Sequence, residues 1–343
     1  LFDRRSTHNI MSLAYVTLEN KSGFAIPQKQ KIDTLKNAHY SVVSDVSVGG
    51  DAPKELLKVY EYGKVRKANR AKWPLYIVKT GHKWYPSESL TEYLLNRIGT
   101  HLGLRMSSSR IAYISGQLRF MSRYFLTKNQ ILVHGAEIYA GYWQVDRSIM
   151  DEIERPRLTK KVISVQLTKR ALHHLYPDDW EDLFTDYLYM LLYDALIGNN
   201  DRHFYNWGVV EDINNRHRPF FAPIYDTARG LFWNRTEDYV DKLTQHPKGT
   251  ERSFTAYLHK STPKICWDEQ KTINHFDLVK LLYQSEIGLS RKAIEDFFAE
   301  DRLAHCIEGV LEEFTGLFSE KRLLLVVECL RRRHKTILAH LCV

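Results

Sequence analysis

The apolar residues of this chain change period partway along it, and that change limits the fold more than any other feature. Up to about residue 134 they come in short extended runs broken by polar turns, most clearly Ser41 to Val48 before Gly49-Gly50, and Leu75-Tyr76-Ile77-Val78-Lys79. Arg110 to Ile114 and Leu118 to Leu126, separated by Ser115-Gly116-Gln117, read as two strands joined by a tight turn. Beyond about residue 135 the period becomes helical, over Trp180 to Ile197, His275 to Glu286, Arg291 to Phe298, Leu303 to Phe314 and Glu320 to Leu341. One helix interrupts the first half. Leu94, Leu95, Ile98 and Leu102 recur at helical spacing up to Gly103, and Ser89-Leu90-Thr91-Glu92 reads as its capping box. The pattern predicts an α+β chain with a β-rich N-lobe, residues 1–134, and an α-helical C-lobe, residues 135–343.

Composition narrows the function classes. A length of 343 residues exceeds what one core usually organises, and 44% apolar residues with only 17 Gly and 10 Pro exclude disordered and collagen-like chains. No apolar run approaches the roughly 18 residues of a membrane span. Lys and Arg outnumber Asp and Glu by 49 to 41, which favours phosphate-bearing partners without choosing among them. The densest basic run, Arg331-Arg332-Arg333-His334-Lys335, reads as a solvated face of the last helix, with a docking patch as the alternative. Cys266, Cys306, Cys329 and Cys342 form no CxxC pair, so neither a zinc site nor a disulfide framework is expected, and a reducing, cytoplasmic compartment fits. The start, Leu1-Phe2-Asp3-Arg4-Arg5, lacks the apolar core of a secretory signal, and the missing initiator Met suggests a trimmed beginning. His173-His174 before Pro177 reads as a helix end. Tyr187, Tyr189 and Tyr193 sit at core spacing, so no nucleic-acid partner is expected.

Chemistry concentrates after the most apolar helix, in Asp201-Arg202-His203-Phe204-Tyr205-Asn206. Gly208 to Glu211, a turn at Asn214-Asn215, and Pro219 to Ile224 then form a predicted hairpin ending in Tyr225-Asp226. Asn206 and Asp226 flank that hairpin almost symmetrically, which predicts a separation of about 5–8 Å. A carboxylate and an amide oxygen converging beside Asp201 form an incomplete oxygen cage suited to Mg²⁺ carried in by nucleotide phosphates. Asp201 is left to orient or deprotonate an attacking hydroxyl. The first half offers the cationic parts. Ser47-Val48-Gly49-Gly50-Asp51-Ala52-Pro53-Lys54 is a turn whose amides can wrap phosphates, Lys79 ends an apolar strand, and Glu92 on the next helix is its natural partner, with Glu88 as rival. Singly, each has a plain reading as a turn, a surface lysine or a cap. Together, four roles appear in the right chain order on the right elements.

These motifs resemble the HipA family of bacterial serine/threonine kinases, a toxin family, over roughly residues 45–340. The resemblance implies a two-lobed protein-kinase-like fold and an ATP- and Mg²⁺-dependent kinase acting on Ser or Thr of a protein. It implies Asp201 as catalytic base, Asn206 and Asp226 as Mg²⁺ ligands, and Lys79 as the phosphate-binding lysine with Glu92 as its partner. Ser47, Val48, Gly49, Gly50 and Lys54 would form the nucleotide loop, with Ser47 as an autophosphorylation site. Val133 and Gly135 would lie at the adenine hinge, and His203 beside the nucleotide. The partner implied is an unidentified protein substrate, with an antitoxin or a host protein as further possibilities. Only 46 residues precede Ser47, so the chain is more similar to shortened HipA-like kinases, some of them secreted, than to a full toxin. Arg202-His203 is also a pairing of phosphatidylinositol kinases, which makes a lipid kinase the runner-up. A pseudokinase that binds without turnover is the rival class.

Overall fold

The computed structural model describes residues 24–43, 54–81, 87–154, 158–245 and 247–342. Its first half is a sheet of β1 (Thr34–Leu35), β2 (Tyr40–Val42), β3 (Lys54–Val59), β4 (Leu75–Thr80), β5 (Ser109–Ile114) and β6 (Gln117–Arg123), in spatial order β1-β5-β6-β4-β3-β2. All pairings are antiparallel except β1 with β5. The β5–β6 turn falls at Ser115 and Gly116, whose φ values of 52° and 77° match the twist of a two-residue hairpin loop. Alternation along β4 divides its side chains. Tyr76 and Val78 join Leu57, Val59, Ala112, Ile114 and Met121 in a small core, while Lys79 faces the helix α1 (Glu88–His101). Leu90, Leu94, Leu95 and Ile98 of α1 are buried in the main core shared with the second half.

The second half comprises α2 (Gly135–Trp143), α3 (Arg147–Ile153), α4 (Thr159–Val162), α5 (Val165–Leu175), α6 (Trp180–Ile197), α7 (Glu237–Gln245), α8 (Pro247–Lys260), α9 (His275–Ser285), α10 (Arg291–Phe297), α11 (Glu300–Phe314) and α12 (Glu320–Leu341). The architecture is mixed α+β, as the change of period predicts. A second sheet, β7 (Gln130–His134), β8 (Gly208–Asp212) and β9 (Phe220–Phe221), is antiparallel. β7 ends at His134 yet pairs with β8, not with the first sheet, and so ties the two halves together. At this junction Gly135 is required by close approach: a Cβ there would lie 2.5 Å from the Trp207 ring and 2.9 Å from the Phe204 carbonyl.

Two local expectations are corrected. α1 begins at Glu88 with Ser87 as its N-cap, Ser89 Oγ is buried without a hydrogen-bond partner, and Glu92 turns to Lys79 instead of back to Ser89. No capping box forms, and Glu92 is released for the site. The basic run near the end is not a uniformly solvated face. Arg331 and Lys335 are exposed, but Arg333 and His334 are buried. The reason is a helix end. α6 is buried along most of its length and stops at Gly198, φ 68°, leaving terminal carbonyls without intrahelical donors. Arg333 answers them, donating from Nε (2.8 Å) and Nη2 (2.7 Å) to the Ala195 carbonyl.

Candidate active site

The segment after α6 is held by buried polar contacts. Asp194, on the last turn of α6, accepts from Arg202 Nε at 2.8 Å and Nη2 at 3.0 Å, and from Asn199 Nδ2 at 2.9 Å. His275 Nε2 pairs with the Asn199 carbonyl at 2.7 Å. Arg202 Nη1 donates both to the Asn206 carbonyl (2.8 Å) and to the Tyr225 carbonyl (2.7 Å). One guanidinium nitrogen therefore clips together the two ends of the β8–β9 hairpin, beside Asn206 and Asp226. Arg202 is thus bound into this framework, buried and bonded to Asp194 and two carbonyls.

Lys54 and Lys79 are direct cross-strand neighbours on β3 and β4. Two like charges so placed repel, and the carboxylate of Asp226 resolves the conflict. It takes Lys79 on Oδ1 and Lys54 on Oδ2, the latter at 3.3 Å. Glu92 Oε1 is 2.5 Å from Lys79 Nζ, whereas Glu88 lies 3.8 Å from Arg229; Glu92 is the partner of Lys79. Burial would raise the Asp226 carboxyl, but the ammonium groups of Lys79 and Lys54 outweigh it and hold it well below its ordinary range. Burial likewise disfavours a charged Lys79, and Asp226 with Glu92 reverse that, so its affinity for a proton is raised. Asp226 also sits at φ 56°, a left-handed conformation that Asp adopts more readily than most side chains.

Asp201 has its own pair of cations: Lys264 Nζ at 3.0 Å from Oδ1 and Arg229 Nε at 3.8 Å from Oδ2. Neither was singled out by the sequence. Lys264 stands in an unpatterned stretch, Thr262-Pro263-Lys264, far from Asp201 in the chain, while Arg229 follows Asp226 closely enough to have been suspected. His203 Nδ1 accepts from the Tyr205 amide at 3.3 Å. Burial, helped by Lys264 and Arg202 against the pull of Asp201 and Asp226, brings its pKa down to about 4 and leaves the imidazole neutral near pH 7.

Lys54, Lys79, Glu92, Asp201, His203, Asn206 and Asp226 all line one cavity of about 640 Å³, within the size range of small-molecule sites. Of the residues expected at the adenine hinge, Val133 and Gly135 are not on the cavity wall. Leu132 and His134 line the cavity, while Gly135 is buried against Trp207 and Val133 is not part of the wall, because alternate residues of β7 share a face. Phe125 and Tyr225 complete an aromatic end, with His134 Nδ1 3.0 Å from the Tyr225 hydroxyl. Ser47, Val48, Gly49 and Gly50 lie outside the described residues. Asn206 Nδ2 donates to the Asp201 carbonyl at 2.7 Å, which leaves its side-chain oxygen for the cavity it lines. Among the described residues no group of three or more His, Cys, Asp or Glu is placed to hold a metal. A cation here would need oxygens from a ligand as well.

A sheet-based first lobe, a helical second lobe and a polar cleft at their junction define a protein-kinase-like fold. The chain belongs to the HipA-like C-terminal domain family, which it matches over residues 46–300. It is 22% identical over 196 residues to the serine/threonine-protein kinase CtkA of Helicobacter pylori (strain J99 / ATCC 700824), covering 57% of this chain and 55% of that protein, so the alignment spans about half of that relative. The crystal structure of the H. pylori proinflammatory kinase CtkA is similar at a TM-score of 0.65 and 19% identity, covering 90% of this chain and 97% of that one. HipA from the toxin–antitoxin system of Shewanella oneidensis MR-1, in a complex with HipB and operator DNA, has a TM-score of 0.48 and 13% identity, covering 90% and 72%. No helix among the described residues is long and apolar enough to cross a membrane.

Proposed function

We propose that this chain is an ATP- and Mg²⁺-dependent kinase that phosphorylates Ser or Thr of a protein substrate. The observation that carries the reading is the convergence of Lys79, its buried partner Glu92, Asp226, Asn206 and Asp201 on one cleft from two separate halves of the chain. The name of the H. pylori relative agrees with it. The donor set fits the metal: a carboxylate and an amide oxygen, both hard, with Asp226 already holding two positive charges of lysine where a divalent ion would bring the same charge. Asp226 and Asn206 would hold Mg²⁺, which supplies positive charge against that developing on the transferred phosphoryl group.

The chain's own residues do the remainder. Lys79, kept protonated, binds phosphate oxygens inside the cleft, and Lys54 stands beside it. Leu132, His134, Phe125 and Tyr225 offer an apolar, aromatic wall for the adenine. Asp201 accepts the hydrogen bond of the acceptor hydroxyl. The hydroxyl oxygen bonds to the γ-phosphorus, the bond from that phosphorus to the β,γ-bridging oxygen breaks, the proton passes to Asp201, and ADP leaves with the electron pair. Ser47, whose phosphate would place about two negative charges in the nucleotide loop, is the expected site of autophosphorylation and of self-inhibition.

Incubation with radioactive ATP and Mg²⁺ tests this. The wild type should label itself and a protein substrate, with label on Ser47 by mass spectrometry, and Asp201→Asn should abolish labelling while its thermal unfolding stays close to wild type. Undiminished labelling of the variant, or none by the wild type, defeats the reading. The second outcome would favour a partner-binding module without turnover.

A further inference from the structure

We infer that Arg229 is a catalytic residue of this site, a guanidinium supplied by the chain itself that binds the terminal phosphoryl group during transfer. The inference rests on the phosphotransfer reading above and adds to it a residue that no motif in the segment Asp201 to Asn206 provides. That segment has two cationic side chains by type, and neither is available. Arg202 is buried and bonded to Asp194 and two carbonyls, and His203 is neutral with its Nδ1 engaged by the Tyr205 amide.

Four cations come within 4.0 Å of the two site carboxylates among the described residues: Lys54, Lys79, Lys264 and Arg229. Three already stand within 3.3 Å of a carboxylate oxygen. Lys79 is hydrogen-bonded to Glu92 and Asp226, Lys54 to Asp226, and Lys264 stands 3.0 Å from Asp201. Arg229 differs in kind. Its Nε is 3.8 Å from Asp201 Oδ2 and 3.8 Å from Glu88 Oε1, beyond hydrogen-bond range of both, and among the described residues its guanidinium donates no hydrogen bond. Its position is fixed by another means. The guanidinium carbon lies 4.1 Å from the centroid of the Trp233 ring, a contact that steadies it and spends none of its donors. It lines the cleft, three residues beyond Asp226 and next to the base.

A planar fork with unspent donors, steadied in a site for phosphates, is suited to bidentate contact with phosphoryl oxygens. In the transfer step written above, charge sits on the three non-bridging oxygens of the moving group. The guanidinium binds two of these while they pass from ATP to the acceptor. Its departure from Asp201 Oδ2 also frees that oxygen to take the hydroxyl proton, so one movement serves both ends of the reaction. The competing role for the same contacts is a latch, Glu88–Arg229–Asp201, that only holds the two halves together.

The test separates these by calorimetric titration of the full chain with Mg²⁺ plus either ADP or a non-hydrolysable imido analogue of ATP. Arg229→Gln should weaken binding of the analogue about 10- to 100-fold and leave ADP binding as in the wild type, because ADP lacks the phosphoryl group concerned. The kcat for transfer should fall by about a thousandfold. Arg229→Lys keeps the charge without the fork and should show the same selective loss to a smaller degree; it carries the comparison if Arg229→Gln fails to fold. Equal losses for both nucleotides mean a latch and overturn the inference, as does undisturbed binding of the analogue. A wild type that binds neither nucleotide overturns the kinase reading and this inference with it, whereas binding of both by the wild type leaves the reading standing whichever way the variants fall.

Discussion

Asp226 and Asp201 stand in the same cleft, and each of their four oxygens faces one cation, yet the two shells are built differently. Asp226 holds Lys54 and Lys79, whose side chains are 11% and 10% exposed, and Lys79 has a second anchor in the buried Glu92. Asp201 holds Lys264 and Arg229, at 3.0 and 3.8 Å, and Arg229 is 31% exposed. The first shell is a set of buried charges that must be compensated for the sheet to tolerate two adjacent lysines. The second is looser at one end only, because Lys264 is 16% exposed while Arg229 stands farther off and reaches solvent. On the kinase reading proposed above, the tighter shell would meet the nucleotide phosphates and their metal, and the looser one the place where a proton and a phosphoryl group would move.

The largest difference between the two shells is expected from Asp226→Asn. Removing its charge leaves Lys54 and Lys79 facing each other, so the variant should lose about 2–3 kcal/mol of stability, somewhat less than a fully buried pair because the Asp226 side chain is 27% exposed. Transfer should drop by at least about 100-fold. The pH dependence has a definite sign. A carboxyl held below its ordinary range contributes stability that is complete above the unfolded value near ~3.9 and is lost as pH falls through the lower folded one, so the variant's deficit should narrow only in strong acid. Urea unfolding at pH 7 and pH 2 measures both ends; a variant as stable as wild type at pH 7 would show that the two shells do not differ.

Much of this site was legible because two local rules happened to point at it. The expected hairpin forms, with Val209 opposite Phe221, and Asn206 and Asp226 at its two ends line one cavity with Lys79, which stands near the end of an apolar strand. Glu92 was named correctly beside a local rule that failed: Ser89 lies inside the helix, not at its cap, and the distant lysine draws Glu92 more strongly than a backbone amide could. What escaped were contacts with no sequence neighbourhood. Arg333 reads as one of a basic run, and only the end of α6, far away in the chain, explains why it is buried. Lys264 is in the same position toward Asp201. Val133 and Leu132 differ by one residue, and period-two structure puts only Leu132 of the two on the cavity wall.

Near the open shell, His203 offers a smaller effect. Its pKa is brought down to about 4 in the folded chain, against about 6.5 unfolded, so the unfolded state takes up the proton first and stability falls as pH drops between those values. From pH 7 to pH 5 the loss should be about 2 kcal/mol, and His203→Gln should flatten that part of the profile. Chemical denaturation across the range decides it, since an unchanged slope in the variant would assign the loss to other groups.

The smallest change, and the one that most refines the contrast, comes from Lys264. Replacing it by Met removes the 3.0 Å contact with Asp201 and a looser one of 3.7 Å with Glu154, but Asp201 is 32% exposed and keeps Arg229. An ion pair of that kind contributes at most about 1 kcal/mol, so Lys264→Met should unfold within that margin of the wild type, against the larger loss expected for Asp226→Asn. Its effect should appear in catalysis instead, where Asp201 without Lys264 is less firmly oriented, lowering kcat more than it raises KM for ATP. A stability loss as large as that of Asp226→Asn would mean that Asp201 is gripped as tightly as Asp226, and that the cleft has one kind of carboxylate rather than two.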